Sequence, residues 1–227
     1  MKIITKLQLL LCGAGALSVF AVEPSATFFE NSEVKVFRAL EKAHVKGGFH
    51  EHKMNRVMVY LQAGHQRFQF QDGRKPTMVD WKAGQVVLSA PEGMHSPENT
   101  ADAPFNIIEV ELKKPGDSAS VNSASVNKRD ALKLDGKHFK QEFENDQARA
   151  LRVTLGAHES TPLIAHTGNS VAIFLTDQET RRSDAAGKVE TAKHKAGEAV
   201  WEVPNTYKLE NLGDKSLEMI LVELRNH

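Results

Sequence analysis

Cysteine occurs once in these 227 residues, at Cys12, and tryptophan and tyrosine occur only twice each. Net charge is missing as well, because 29 lysines and arginines stand against 29 aspartates and glutamates. A chain without a charge excess carries neither the basic footprint of a nucleic-acid binder nor an acidic tail. Long hydrophobic runs are also absent. The apolar stretch at residues 7–19 is shorter than the roughly 20 residues that a bilayer-spanning helix needs.

That stretch has another reading. Lys2 and Lys6 make a basic start, Leu7 to Val19 is apolar with small residues, and Val19-Phe20-Ala21 offers small residues at the outer positions of a cleavage site. The pattern is that of a secretory signal peptide, residues 1–21, cut after Ala21. A lipoprotein signal around Cys12 would want a small residue where Leu11 stands. Secretion places the mature protein in the periplasm or outside the cell, with no membrane association after cleavage. Cleavage also removes Cys12, which excludes a disulfide, a thiol nucleophile and a zinc-ribbon site. Lys2 and Lys6 leave with the signal, so the mature chain stays close to neutral.

What is present, at 41% apolar and 26% charged residues, is enough for a real core. The pattern is one of short strands and tight turns. Glu33 to Leu40, Val57 to Leu61, Gln66 to Gln71, Gln85 to Ala90 and Phe105 to Leu112 read as strands, with Asp72-Gly73 as a turn, and no sustained helical period interrupts them. Residues 114–130 change character: Ser118-Ala119-Ser120-Val121-Asn122-Ser123-Ala124-Ser125 is too small and polar to pack, which makes this segment a linker.

The second half repeats the first. His44, Gly48 and His52 fall on His158, Pro162 and His166 at a spacing of 114, as Val57-Met58-Val59-Tyr60-Leu61 falls on Val171-Ala172-Ile173-Phe174-Leu175. Lys82-Ala83-Gly84 matches Lys195-Ala196-Gly197, Glu98-Asn99 matches Glu210-Asn211, and Val110-Glu111-Leu112 matches Val222-Glu223-Leu224, with the spacing drifting only to 112. Two copies of one all-β module account for this, at residues 28–113 and 131–227.

Within the first copy, His50 and His52 are two residues apart, so on a strand both imidazoles would aim to one side. His95 lies in Pro91-Glu92-Gly93-Met94-His95, a turn sequence able to bring a distant segment back to them. Three neutral imidazoles suit a divalent metal such as Fe, Zn, Ni, Cu or Mn, and leave coordination positions open. Arg56 is either a clamp for a substrate carboxylate or a surface arginine paired with an acid, and Tyr60 is a candidate polar contact in the pocket. His44 and His158 read as loop residues, and Glu98-Asn99 with Glu210-Asn211 as turn-shaping pairs.

Gly48, His50, His52 and Gly64, followed by Gly84, Pro91, Gly93, His95 and Asn99, resemble the two motifs of the cupin superfamily. The resemblance implies two tandem jelly-roll β-barrels, a bicupin, with a metal held inside the first. It also exposes departures. Val57 stands where cupins commonly carry a ligating glutamate, leaving a three-histidine set similar to that of some cupin dioxygenases. In the second copy Ile164 stands opposite His50 and Tyr207 roughly opposite His95, so only His166 remains and that barrel is degenerate, structural or metal-free. The expectation is a secreted bicupin whose metal centre acts on a small organic molecule, in the manner of an oxygenase. The alternative is a non-catalytic protein that binds a metal or small ligand. Cupin relatives are often dimers, which makes a homodimer an expectation by resemblance.

Overall fold

The computed structural model describes residues 26–116 and 128–225; residues 1–21, expected to be a signal peptide, and most of the expected Ser/Asn-rich linker lie outside the described residues. The first barrel contains β1 (Ala26–Glu30), β2 (Val34–Glu41), β3 (Arg56–Tyr60), β4 (Gly64–Phe70), β5 (Thr77–Trp81), β6 (Val86–Ser89), β7 (His95–Asn99) and β8 (Phe105–Leu112). A single helical turn, α1 (Ala131–Leu134), opens the second half. After it come β9 (Phe139–Glu144), β10 (Ala148–Leu155), β11 (Ile164–His166), β12 (Ser170–Phe174), β13 (Gln178–Asp184), β14 (Val189–His194), β15 (Ala199–Glu202), β16 (Asn205–Asn211) and β17 (Leu217–Leu224).

The strands form the expected pair of barrels. In the first, a five-stranded sheet of order β1-β2-β8-β3-β6 faces a three-stranded sheet β5-β4-β7; in the second, β15-β12-β17-β10-β9 faces β11-β16-β13-β14. All the strand pairings are antiparallel, so side chains alternate between the two faces of each sheet. On β8, Phe105 and Ile107 join the interior cluster of the first barrel with Met58 and Tyr60, while Ile108, Val110 and Leu112 belong to a different cluster.

That other cluster is where the two halves meet. Val34, Val36, Val57, Val59, Ile108, Val110 and Leu112 of the first barrel pack with Ala148, Ala150, Val171, Ile173, Ile220, Val222 and Leu224 of the second. The two five-stranded sheets therefore lie face to face as a sandwich, and their apolar residues are almost wholly withdrawn from water. Both faces of β3 and β12 are buried, one against the barrel interior and one against the partner sheet. Such strands read as continuous apolar runs in the sequence, which is why Val57–Leu61 and Val171–Leu175 show no polar alternation.

Polar contacts at the rim follow the same repeat. Arg38 donates from Nη2 to the Gly197 carbonyl at 2.5 Å, and Arg152, 114 residues later, donates to the Gly84 carbonyl at 2.6 Å. Asn55 donates to Gln147, and its counterpart Asn169 donates to Glu33 at 2.8 Å. Each contact made by one barrel is returned by the equivalent residue of the other, the reciprocity of a two-fold interface built within a single chain. The repeat seen in the sequence is thus also the symmetry of the packing.

The two interiors differ. The second barrel is filled by Leu151, Val153, Leu155, Ile164, Phe174, Leu209, Leu217, Met219 and Leu221 with their neighbours, whereas the first buries only Met58, Tyr60, Phe105 and Ile107 in its interior cluster. Gly64 belongs to that smaller core, because a Cβ there would lie 2.4 Å from the Phe105 ring. Polar side chains are buried in this barrel as well, among them Arg56, Gln66, His95 and Glu109.

Because one apolar layer serves both barrels, the mature chain is expected to unfold as one unit. Trp81 lines the first interior and Trp201 packs on the shared layer, so the Trp201→Phe and Trp81→Phe variants report the halves separately. Their urea transitions should coincide, and Ile220→Ala should lower both by about 2–5 kcal/mol. Two separated transitions would show that the halves fold independently.

Candidate metal centre

The three histidines of the first barrel come together, but by a different route from regular strand pairing. His50 and His52 lie on an extended segment ahead of β3, and His50 makes an isolated antiparallel bridge to His95, the first residue of β7. The bridge has two hydrogen bonds, His50 N–H to His95 O and His95 N–H to His50 O, each 2.9 Å. Gly93, at φ +81, makes the turn that delivers His95; a residue with a Cβ is strained in this left-handed conformation. The ring centroids of His50 lie 4.9 Å from His52 and 4.8 Å from His95, and His52 and His95 are 5.6 Å apart. One nitrogen from each ring lies within 4.8 Å of those of the other two. Among the described residues this is the one group of three or more such side chains placed to hold a metal ion.

The hydrogen bonds decide which nitrogen is free. His50 Nδ1 lies 3.0 Å from the Gly48 carbonyl and His95 Nδ1 lies 3.0 Å from the Gly93 carbonyl. A carbonyl only accepts, so both Nδ1 atoms carry the hydrogen and both Nε2 lone pairs are left to bind a ligand. This is the arrangement that fixes the tautomer of a ligating imidazole. Burial, with the neighbouring Arg56 and the other two histidines, pushes His52 down to about 3. Burial also lowers His95. Neutral imidazoles are what a divalent ion requires, so the residues present fit such an ion.

The surroundings are mixed. Phe68 and Phe70 of β4 flank His95, with ring centroids at 6.0 and 6.5 Å, and Arg74 lies over the Phe70 ring at 3.9 Å. Val57, where the resemblance places a glutamate, is fully buried on the other face of β3 in the shared layer, so it has no bearing on the histidines. Arg56 is the neighbour that faces inward. It is not a surface arginine: it is 5% exposed and donates from Nη1 to Glu109 at 2.6 Å and from Nη2 to Ser89 at 3.2 Å, while its Nε is without a partner. Tyr60 stacks on Trp81 at 4.1 Å, and burial raises its phenol strongly. Burial likewise raises Glu109 against the pull of Arg56, and it raises Glu41.

Two acids of this interior escaped the reading of the sequence. Glu109 and Glu111 share a parity with Phe105 and Ile107 on β8 and therefore share their inward face. The signal was there, as two acids at i and i+2 in the mostly apolar run Ile107 to Leu112. The remaining motif residues have local duties. His44 and His158 hold positive φ at equivalent loops and each contacts an aspartate at 3.0 Å, Asp102 and Asp214. The Asn99 amide donates to the Glu41 and Ala103 carbonyls, as Asn211 does to Leu155, Gly156 and Lys215, so both asparagines tie turns.

In the second barrel Ile164 pairs with Tyr207 across β11 and β16, the counterpart of the bridge between His50 and His95. His166 stacks on Tyr207 at 4.9 Å, and Arg149 joins Glu223 and Asp130 below it at 2.6 and 2.8 Å. The place of the three-histidine cluster is taken there by apolar packing and a closed ion-pair network.

No family model matches the sequence, and no curated protein matches it either. Solved structures do match. AerE from Microcystis aeruginosa is 12% identical, with a TM-score of 0.58 over 88% of this chain and 96% of that one. A cupin 2 conserved barrel domain protein from Leptotrichia buccalis is 14% identical, with a TM-score of 0.52 over 88% of each chain. Bacillus subtilis oxalate decarboxylase, a protein with Mn(II) centres, is 12% identical, with a TM-score of 0.57 over 92% of this chain and 77% of that one. Likeness at this level of identity establishes the fold and stops there.

The lowered His52 has a consequence for the metal-free protein. Its folded pKa lies below the ordinary 6.5, so the unfolded chain binds a proton between pH 6.5 and about 3 that the folded chain does not. Stability from this group is complete above 6.5 and is lost as pH falls through the window, by at most about 1.4 kcal/mol per pH unit. Histidine NMR should find His52 still neutral at pH 5, and His52→Asn should flatten the fall of the urea midpoint between pH 7 and 5. A protonated His52 at pH 5 would contradict this.

Proposed function

We propose that this chain, a cupin fold in two tandem copies, is a secreted or periplasmic protein whose first barrel holds a divalent metal on His50, His52 and His95 and acts on a small organic molecule in a dioxygenase-like reaction. The observation that carries the reading is the convergence of three imidazoles whose Nδ1 hydrogens, at His50 and His95, are spent on backbone carbonyls. With three protein ligands, a bound ion would keep open positions at which it polarises a substrate oxygen or engages dioxygen.

The chain's own residues prepare that place. Burial lowers His52 and His95, which favours the neutral form that an ion binds. Phe68 and Phe70 limit water around His95 and give the pocket an apolar wall. Arg56, with an unspent Nε–H, and Tyr60 are the polar groups for orienting a substrate. The guanidinium charge of Arg56 is largely committed to Glu109, so this arginine would orient more than it would attract. The second barrel, with its interior filled, supports the first through the shared apolar layer.

A non-catalytic metal or ligand carrier is the second reading, favoured by the pairing of the buried acid Glu109 with Arg56, which engages it in structure. Secretion would show as a mature N-terminus following Ala21. Elemental analysis of the purified mature protein should find one divalent ion per chain, and His50→Ala and His95→Ala should each lose it. Metal-free wild type, indistinguishable from these variants, would end the metal reading. Bound metal without oxygen uptake across an aerobic screen of small organic substrates would turn the assignment to the carrier.

A further inference from the structure

The first barrel lacks the motif glutamate, yet another strand brings a carboxylate to its histidines. Glu111 of β8 stands opposite Arg56 in the strand register, and its Oε1 lies 3.9 Å from Nδ1 of His52. Both side chains are largely buried, at 17% and 15% exposure. His52 is the one member of the cluster whose Nδ1 is not held by a backbone carbonyl, so the atom facing Glu111 is the one that needs an acceptor.

The second barrel contains the same pair of atoms. His166 Nδ1 lies 3.2 Å from Glu223 Oε1, and these residues are the counterparts of His52 and Glu111 in the repeat. The pair has persisted in a barrel where Ile164 and Tyr207 replace the other two histidines. What differs is the cation beside the glutamate. Arg149 stands opposite Glu223 and binds it at 2.6 and 2.7 Å, with Asp130 on its far side. In the first barrel Lys35 holds that register position opposite Glu111, and its ammonium lies over the Phe37 ring at 5.3 Å. The charge of Glu109 goes to Arg56. Glu111 is the interior carboxylate whose contact is with the histidine cluster.

We infer that Glu111 is a positioning residue for the metal centre: its carboxylate accepts the Nδ1–H of His52 and turns Nε2 toward the ion. A carboxylate behind an imidazole fixes its tautomer and strengthens it as a ligand. Glu111 thereby provides, from β8 and through the His52 ring, the carboxylate that position 57 does not. At 3.9 Å the two atoms face each other beyond hydrogen-bond distance, and the same two atoms of the second barrel stand at 3.2 Å, within it. The inference rests on the metal reading above.

The test uses the full mature chain with Zn(II) as probe, titrated in competition with a chromogenic chelator. Glu111→Gln should weaken Zn(II) binding by about 10- to 100-fold while the metal-free melting temperature stays near that of the wild type. Glu223→Gln should leave Zn(II) affinity unchanged, because among the described residues the one group of three placed to hold an ion is His50, His52 and His95 of the first barrel. A ¹⁵N spectrum of the metal-free wild type should show His52 as the Nδ1–H tautomer, and Glu111→Leu should shift it to Nε2–H. Unaltered Zn(II) affinity in Glu111→Gln overturns the inference, as does an Nε2–H His52 in the wild type. If the wild type binds no Zn(II), the metal reading falls, and the tautomer alone then decides whether Glu111 holds His52. The wild-type spectrum serves equally if Glu111→Gln fails to fold.

Discussion

The contact on which the rest of this molecule depends is the apolar layer between the two five-stranded sheets. Val57, Val59, Ile108 and Val110 on one side and Val171, Ile173, Ile220 and Val222 on the other leave water together. Burial of that many branched side chains is the dominant favourable term available to the chain. It also frees the barrel interiors from sole responsibility for stability. The first interior can then hold Arg56, Glu109, Gln66 and His95 beside a small apolar cluster, whereas the second has a larger cluster built on leucines with Ile164, Phe139 and Phe174.

The same layer explains the departure at Val57. Position 57 points into the sandwich, where a carboxylate would sit in the shared apolar layer in a dry environment and carry a heavy desolvation cost. Valine there serves packing. A charge for the histidines must come from a residue of the opposite parity or from another strand, and β8 has two, Glu109 and Glu111. One of them offsets Arg56 and the other faces His52. The site and the interface are thus two faces of the same strands, and what each position can be depends on which face it joins.

The comparison of the two barrels shows how little separates a three-histidine cluster from a packed core. The backbone pairing is retained, with Ile164 opposite Tyr207 where His50 bridges His95. The histidine and glutamate pair is retained too. At the place of the cluster, Ile164 and Tyr207 stand for His50 and His95, Tyr207 stacks on His166, and Arg149 pairs with Glu223. Fold similarity to oxalate decarboxylase and AerE is consistent with either outcome, since the barrel accommodates both.

By itself the sequence determined that the chain is all-β, that it is one module used twice, and that three histidines of the first copy belong together. Period-2 alternation, turn glycines and a spacing held between 112 and 114 are properties of the chain written in one dimension. Only the tertiary structure decided which side of each strand is inside a barrel. On strands buried on both faces, such as β3, there is no polar alternation to reveal the inward parity, so Arg56 could be read as a surface residue and Val57 as a vacant ligand position. Nor could the sequence show that His50 reaches His95 through an isolated bridge or that Glu111 faces His52. These depend on which strands pair, and at what register, across separations of 45 residues or more.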